Sequence, residues 1–346
     1  MKAGKLGFGL IGCGLVSSFH GKAINAIEEA QLVAATDLAP ERVEKFVSEH
    51  GGEAVAGADE LVRRPDVDVV NVLTPNAHHE EYVVKAAQAG KHVIVEKPIE
   101  MTLEKADRMI AACRNAGVKL AVCQQVRFRK AVEAMKKAIE DGRFGRLLHG
   151  DAYMKWYRPK EYYHMDPWRS SRQEGAGVVI QHAFHYLDLL YHLMGPVKSV
   201  QARTTNLAHP DVDLEDTAIA FLTYRNGAQG VLQASTALFP GTPIRIEING
   251  ENGTAIMEGE RITSWQFADQ QPEDEDVRSI GSDAVTTAAG GAADFAYFEH
   301  HWLTEDMIQA IRNNREPRIP GEEGRCSLRL ALALYESADS GREVQL

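Results

Sequence analysis

Short apolar runs alternate with helical periodicity through the first third of the chain. Residues 6–11, 32–35, 67–73, 92–95 and 120–122 read as strands, apolar almost throughout. Between them, 16–27, 40–49, 76–89 and 103–115 repeat apolar positions three and four apart, as amphipathic helices do. Strands apolar on both faces must be covered on both faces. The alternation therefore predicts a doubly wound parallel sheet, an α/β domain of the Rossmann type over residues 1–125.

The pattern changes after that. A short amphipathic helix is expected at 131–140 and an alternating strand at 147–156. A long helix follows at 178–194, stopped by Gly195-Pro196, and then strands at 197–206, 217–224, 230–236, 244–249 and 254–257. The pairs Asn226-Gly227 and Asn249-Gly250 carry turn chemistry. Together these predict an α+β domain over 126–346 with a large, open, mainly antiparallel sheet. The stretch 270–293, rich in Asp, Glu, Gly, Ala and Ser, reads as a surface loop or lid. Two further helices are expected at 295–313 and 322–340, either of them free to return onto the first domain.

Composition narrows the function classes. A chain of 346 residues with 44% hydrophobic content can build two cores. Its net charge of -11, with no basic block, speaks against a nucleic-acid partner. No apolar stretch approaches the roughly 20 residues that span a bilayer, and no leader pattern is visible at the N-terminus. Cys13, Cys113, Cys123 and Cys326 lack CxxC spacing, which fits a reducing, cytoplasmic setting better than a disulfide framework or zinc ribbon.

Chemistry enters at the first strand–helix junction. Gly12-Cys13-Gly14-Leu15-Val16-Ser17 suits a tight turn, a close backbone approach to a pyrophosphate and a helix N-terminus behind it. Ser17 stands where the usual fingerprint has its third glycine. Asp37 follows the second strand, where a carboxylate binds the adenosine ribose hydroxyls and repels a 2′-phosphate. NAD is therefore expected rather than NADP. The alternative for Asp37 is a cap on the helix that begins near Pro40.

Two more segments complete an ordered set. Thr74-Pro75-Asn76-Ala77-His78-His79 follows the strand at 67–73, and Glu96-Lys97-Pro98 ends the next one. Later, Gly175-Ala176-Gly177 leads into a helix bearing His185-Tyr186-Leu187-Asp188. In this combination the sequence resembles the glucose–fructose oxidoreductase/inositol dehydrogenase/MocA family over essentially its whole length. The resemblance implies an NAD-dependent dehydrogenase or ketoreductase acting on a sugar, polyol or sugar derivative, a nucleotide sugar included. It places Gly12, Cys13, Gly14, Leu15, Val16, Asp37, Thr74, Pro75, Asn76, His79, Glu96, Lys97 and Arg127 at the cofactor. It also implies a homodimer or homotetramer paired through the open face of the second sheet.

The residues support the same reading. Lys97 sits at the C-terminal end of a sheet strand, the edge where α/β ligands bind. An ammonium beside a cationic nicotinamide should lose its proton more easily, so Lys97 suits acid–base work. At helical spacing Gln181, His185 and Asp188 share a face, with His182 adjacent. His185 aligns with the family's substrate-contacting histidine. Four residues earlier the inositol-dehydrogenase branch carries aspartate, but here the residue is Gln181. An Asp–His relay is thus not expected, which leaves Lys97 and His185 as the acid–base pair and Gln181 and His182 as specificity candidates. Tyr163, Trp168 and Arg169 are further substrate candidates, since aromatic faces stack on sugars and a guanidinium binds carboxylate or phosphate.

A metal site at His182, His185 and Asp188 is not expected, and His300-His301 reads as ordinary helix surface. Two rivals share the fold: a regulatory protein that binds dinucleotide without turnover, and an NAD-dependent glycosidase. Lys97 with His185 argues against the first, and net cofactor reduction separates the second.

Overall fold

The six strands of the first sheet begin with β1 (Leu6–Ile11) and β2 (Ala30–Thr36), joined by α1 (Ser17–Ala26). The computed structural model describes residues 4–175, 177–282 and 297–346. After β2 come α2 (Pro40–His50), β3 (Glu53–Ala54), α3 (Ala58–Arg63), β4 (Val69–Val72), α4 (His79–Gln88), β5 (His92–Glu96), α5 (Leu103–Ala116) and β6 (Leu120–Cys123). The strand order is β3-β2-β1-β4-β5-β6, parallel throughout. β4 and β6 are buried at every position, and β5 at every position but His92, as a sheet covered on both faces requires. The helices stop for local reasons. Thr102 accepts from the Lys105 amide at the start of α5, and Gly117 takes the left-handed conformation at its end.

This first unit comprises residues 4–125 and 297–328 of those described. A late helix, Phe298–Arg312, packs on α1, and the Val122 amide donates to the Ile319 carbonyl at 2.9 Å.

The second unit is built separately from 126–282 and 329–346. It contains α6 (Lys130–Glu140), β7 (Leu147–Lys155), α7 (Lys160–His164), a π-helical turn Val178–Ala183, and α8 (Phe184–Met194). β8 (Val197–Thr205), β9 (Thr217–Tyr224), β10 (Gln229–Ser235), β11 (Arg245–Gly250), β12 (Gly253–Glu258) and β13 (Arg261–Phe267) follow, then α9 (Asp274–Ser279). The late helix above is α10, and α11 (Gly321–Ser340) and β14 (Val344–Gln345) end the chain. The sheet runs β13-β12-β11-β7-β10-β9-β8-β14, antiparallel except where β10 meets β7. Ala218, Ala220, Leu222 and Tyr224 of β9 are buried, whereas Ile219 and Phe221 between them are 49% and 42% exposed. One face is thus core and the other open.

Several local expectations are corrected. Asn249-Gly250 is not the turn: both end β11, where its pairing with β7 shifts register, and Glu251-Asn252 makes the reversal. Within the stretch expected to be a loop or lid, Asp274–Ser279 is helical, anchored by Asp274, which accepts from Arg143 and from the Trp265 indole. Residues 283–293 of that stretch, and 295–296 of the expected late helix, lie outside the described residues, as does Ala176.

Candidate active site

The turn after β1 combines a closed and an open position. Gly12 has φ +101°, and a Cβ there would lie 2.7 Å from the Leu73 carbonyl oxygen, so the turn admits only glycine. A Cβ on Gly14 would meet nothing within 4 Å. The protein's own packing does not demand that glycine; a ligand approaching the backbone would. No acidic residue occupies the first turn of α1, and Ser17 is buried with its hydroxyl donating to the Gly14 carbonyl at 2.6 Å. An anion suits such a helix start. Asp37 accepts from the Cys13 amide at 2.7 Å and from the Ala39 amide at 2.9 Å. It does not cap α2, whose N-cap is Ala39. Instead it ties the end of β2 to the glycine-rich turn. The Cys13 thiol, buried and beside Asp37, is pushed up to about 12 and is chemically quiet. Leu15 is exposed and Val16 half-buried at the same rim.

The loops after β4 and β5 lie side by side because those strands are neighbours. His79 is fully buried, with Nε2 3.0 Å from the Thr74 carbonyl and Nδ1 3.0 Å from that of Pro98. Burial pushes its pKa below the ordinary value. Both ring nitrogens face main-chain carbonyls, so His79 staples the Thr74-Pro75-Asn76 loop to Lys97-Pro98 rather than reaching a ligand. Glu96 is likewise committed. Its carboxylate accepts from His20 Nε2 at 3.1 Å and from the Lys97 amide at 3.0 Å. Burial opposes its ionisation, but His20, chiefly through its hydrogen bond, with smaller contributions from His300 and Lys97, outweighs that and holds it well below the usual carboxylate range. Lys97 is half-buried at the C-terminal end of β5.

His300 corrects the surface expectation. It is 6% exposed, stacked on Phe19 at 5.4 Å and edge-on to His20 at 4.9 Å. Burial and the neighbouring His20 push it down to about 3, so it is neutral. Donor atoms of His20, Glu96, Cys123 and His300 lie within 4.8 Å of one another, a grouping of metal-ligand types. Hydrogen bonding explains it. The Asn71 amide nitrogen is 2.9 Å from His20 Nδ1, which puts the His20 proton on Nε2, toward Glu96. The ring's lone pair therefore faces Asn71. No two of these four residues are near in sequence, so no spacing announces them.

The second unit gathers an aromatic and cationic cluster at the π-helical turn. Gly177 opens that turn at φ +111°, with a would-be Cβ 2.3 Å from the Glu215 carboxylate. The Glu215 carboxylate accepts from the Val179 amide, and burial raises its pKa. Gln181 and His182 lie in the turn and His185 on α8. Gln181 and His185 are half-buried, but Asp188 leaves the shared face. It is fully buried and accepts from Arg127 Nε at 2.8 Å and Nη2 at 2.7 Å. Arg127, expected at the cofactor, is thereby a buried ion-pair partner within its own unit.

Tyr163 is also corrected. It is 2% exposed, packed with Val212 and Leu214, and its hydroxyl pairs with Thr236 at 2.7 Å. Its neighbour Tyr162 is the tyrosine of the cluster. The Tyr162 oxygen accepts from Arg169 Nη1 and Gln181 Nε2, both at 2.8 Å, and its ring lies 5.4 Å from His182. Arg169 is held between the Tyr162 ring at 4.8 Å and Trp168 at 4.6 Å, and its Nε is 3.3 Å from Asp166. Adjacent residues of one helix point about 100° apart. Choosing between Tyr162 and Tyr163 needed the phase of a five-residue helix that composition does not reveal.

A doubly wound parallel sheet with a glycine-rich turn after β1 and an acid after β2 defines a dinucleotide-binding Rossmann protein. The Rossmann model "oxidoreductase family, NAD-binding Rossmann fold" matches residues 6–124, and the GFO/IDH/MocA C-terminal domain matches 132–256. The chain belongs to the GFO/IDH/MocA oxidoreductase family of NAD(P)-dependent sugar and polyol dehydrogenases. Among solved structures, the WlbA dehydrogenase from Bordetella pertussis in complex with NADH and UDP-GlcNAcA is 34% identical, with a TM-score of 0.87 and 99% of each chain covered. The 1,5-anhydro-D-fructose reductase of Ensifer adhaerens is 31% identical over 91% of each chain. The myo-inositol 2-dehydrogenase of Thermotoga maritima is 28% identical over 98% of each. Among the described residues no helix is long and apolar enough to cross a membrane.

Proposed function

We propose that the protein oxidises or reduces a sugar, polyol or sugar derivative with NAD(H), with Lys97 and His185 handling the proton. The carrying observation is confined to the first unit. Adjacent parallel strands bring the Gly12–Gly14 turn, Asp37 and Lys97 to one sheet edge, and the space above Gly14 is open. Gly12, Cys13, Gly14, Leu15 and Val16 would cradle the pyrophosphate, with Thr74, Pro75 and Asn76 on the neighbouring loop. Asp37 would take the ribose hydroxyls. The dinucleotide, when bound, accepts or supplies the hydride. Lys97 takes or returns the carbinol proton at Nζ, and Glu96 fixes the Lys97 backbone through its amide. His185 would contact the substrate, with Gln181 and His182 setting specificity. Likeness to the protein solved with UDP-GlcNAcA supports a nucleotide sugar among the candidates. A panel of sugars, nucleotide sugars and inositols followed at the NADH absorbance tests the reading. Absence of net NADH change with every member would end it.

Two outcomes refine this assignment. NADH should bind more tightly than NADPH, and Asp37→Ser should weaken NADH and narrow the gap. Equal affinity of the parent for both cofactors, measured by fluorescence titration, would remove Asp37 from the ribose. His185→Ala should lower kcat and kcat/KM together, whereas Gln181→Ala should chiefly raise KM. Gln181 has no basic function, but its amide helps hold the Tyr162 hydroxyl. A kcat collapse in Gln181→Ala with normal His185→Ala would reverse the roles.

The open face of the second sheet, with Ile219 and Phe221 exposed, supports pairing with another copy as a dimer or tetramer.

A further inference from the structure

Among the described residues, Arg158 is a buried cation without a carboxylate partner. The residue is 6% exposed, its guanidinium lying 5.0 Å from the Trp156 ring and 5.5 Å from the Tyr162 ring. Nη1 donates to the Tyr157 carbonyl at 3.0 Å, while Nε is sealed with no partner. Among the described residues no carboxylate lies within ion-pair distance of it. Arg169, on the same Tyr162 ring, does have one in Asp166. The other buried carboxylate nearby, Asp216, is taken up by His209 and by the Leu207 and Ala208 amides, so it does not pair with Arg158. The Tyr162 oxygen, which Arg169, Gln181 and Arg158 all hydrogen-bond, does not supply the missing charge, because burial raises its pKa and keeps it a neutral phenol. Buried charges are normally paired, because an unpaired one is costly to desolvate. The sequence explains why this one is held in place. The Arg158 amide donates to the Thr236 carbonyl at 2.7 Å, its own carbonyl faces His209 Nε2 at 2.9 Å, and Pro159 follows. The backbone is fixed on both sides, so the guanidinium cannot swing out to water at little cost.

We propose that Arg158 recognises an anionic group of the substrate, the carboxylate of a sugar acid, against the wall formed by Trp156 and Tyr162. This rests on the sugar oxidoreductase reading above and narrows it to acidic sugars. The location fits. The rings beside Arg158 also reach the segment that bears Gln181, His182 and Tyr186: Trp156 lies 6.3 Å from His182 and 6.0 Å from Tyr186, and Tyr162 bonds Gln181. A guanidinium packed beside two aromatic rings and lacking a carboxylate of its own offers donors suited to a planar carboxylate.

The test uses the NADH-saturated protein and two matched pairs: D-glucuronate against D-glucose, and UDP-glucuronate against UDP-glucose. Calorimetry should show the parent preferring the acid in each pair by at least about tenfold. Arg158→Gln should abolish that preference and leave neutral-sugar and NADH binding within about threefold. Arg158→Lys, which keeps the charge but not the fork, should retain part of the preference. Thermal unfolding gives an independent readout. Removing a functional, uncompensated charge should leave Tm unchanged or raise it, whereas an arginine kept for structure would lower it. Equal binding of acid and neutral sugars by the parent overturns the proposal. So does equal weakening of both UDP-sugars by Arg158→Gln, which would assign the anion to the diphosphate. Arg158-dependent acid binding without NADH turnover would sustain the anion site and end the oxidoreductase reading instead.

Discussion

Lys97→Met is expected to lower kcat by about 10²–10⁴ while NADH affinity stays within a few-fold, the loss typical of a general acid–base group. Methionine keeps the length and apolar stem of lysine but carries no proton. The backbone position does not depend on the ammonium, because the Lys97 amide is held by Glu96. Glu96 in turn is fixed by His20. The substitution thus removes one function and little structure. Single-turnover absorbance at the nicotinamide band separates the chemical step from cofactor binding. A mutant with normal kcat on a verified substrate would pass the proton role to another residue, with His185 first in line.

The second large effect is on stability. Asp188→Ala is expected to destabilise the second unit by about 3–5 kcal/mol, since it leaves the Arg127 guanidinium buried without its carboxylate. The side chains are 5% and 0% exposed and meet through two hydrogen bonds. Removing both charges together, as Arg127→Met with Asp188→Leu, should recover most of the loss, because the cost lies in the unpaired charge rather than in the missing attraction. Denaturant unfolding of the two variants and the parent measures this. An unchanged midpoint in Asp188→Ala would mean that water or another group already compensates Arg127. Because α8 also carries His185, a milder form of the same break, Asp188→Asn, should affect turnover as well.

Elements whose identity comes from uninterrupted burial were legible at once. β1 coincides with its expected span, since six residues around Phe8 and Leu10 leave no other reading. Short, half-exposed elements were not. β3 has two exposed residues, and α3 and α7 have six and five, too few for a period to show. The helix expected at 178–194 exists, but its first six residues wind as a π-turn, which shifts the spacing on which the Gln181–His185–Asp188 face was drawn. Glycine-rich turns announce themselves locally, and so the turn at Gly12–Gly14 was legible. His20 and His300 meet only through tertiary packing. Arg158, beside a proline in a polar stretch, looks like any surface arginine until its burial is known.

The first sheet also has a history in time. Its sixth strand donates a hydrogen bond to the Ile319 carbonyl, and its first helix is covered by α10, although the strands themselves are complete by Cys123. During synthesis, about 200 residues must emerge between the end of that sheet and its covering. At ribosomal rates of about 5–20 residues per second this is an interval of about 10–40 s. Throughout it, the Phe19 and His20 face of α1 waits uncovered. The nascent chain thus carries a sheet with an unclosed flank while most of the second unit emerges, and it is in that window, more than in the finished fold, that a chaperone or a misassociated neighbour would find it.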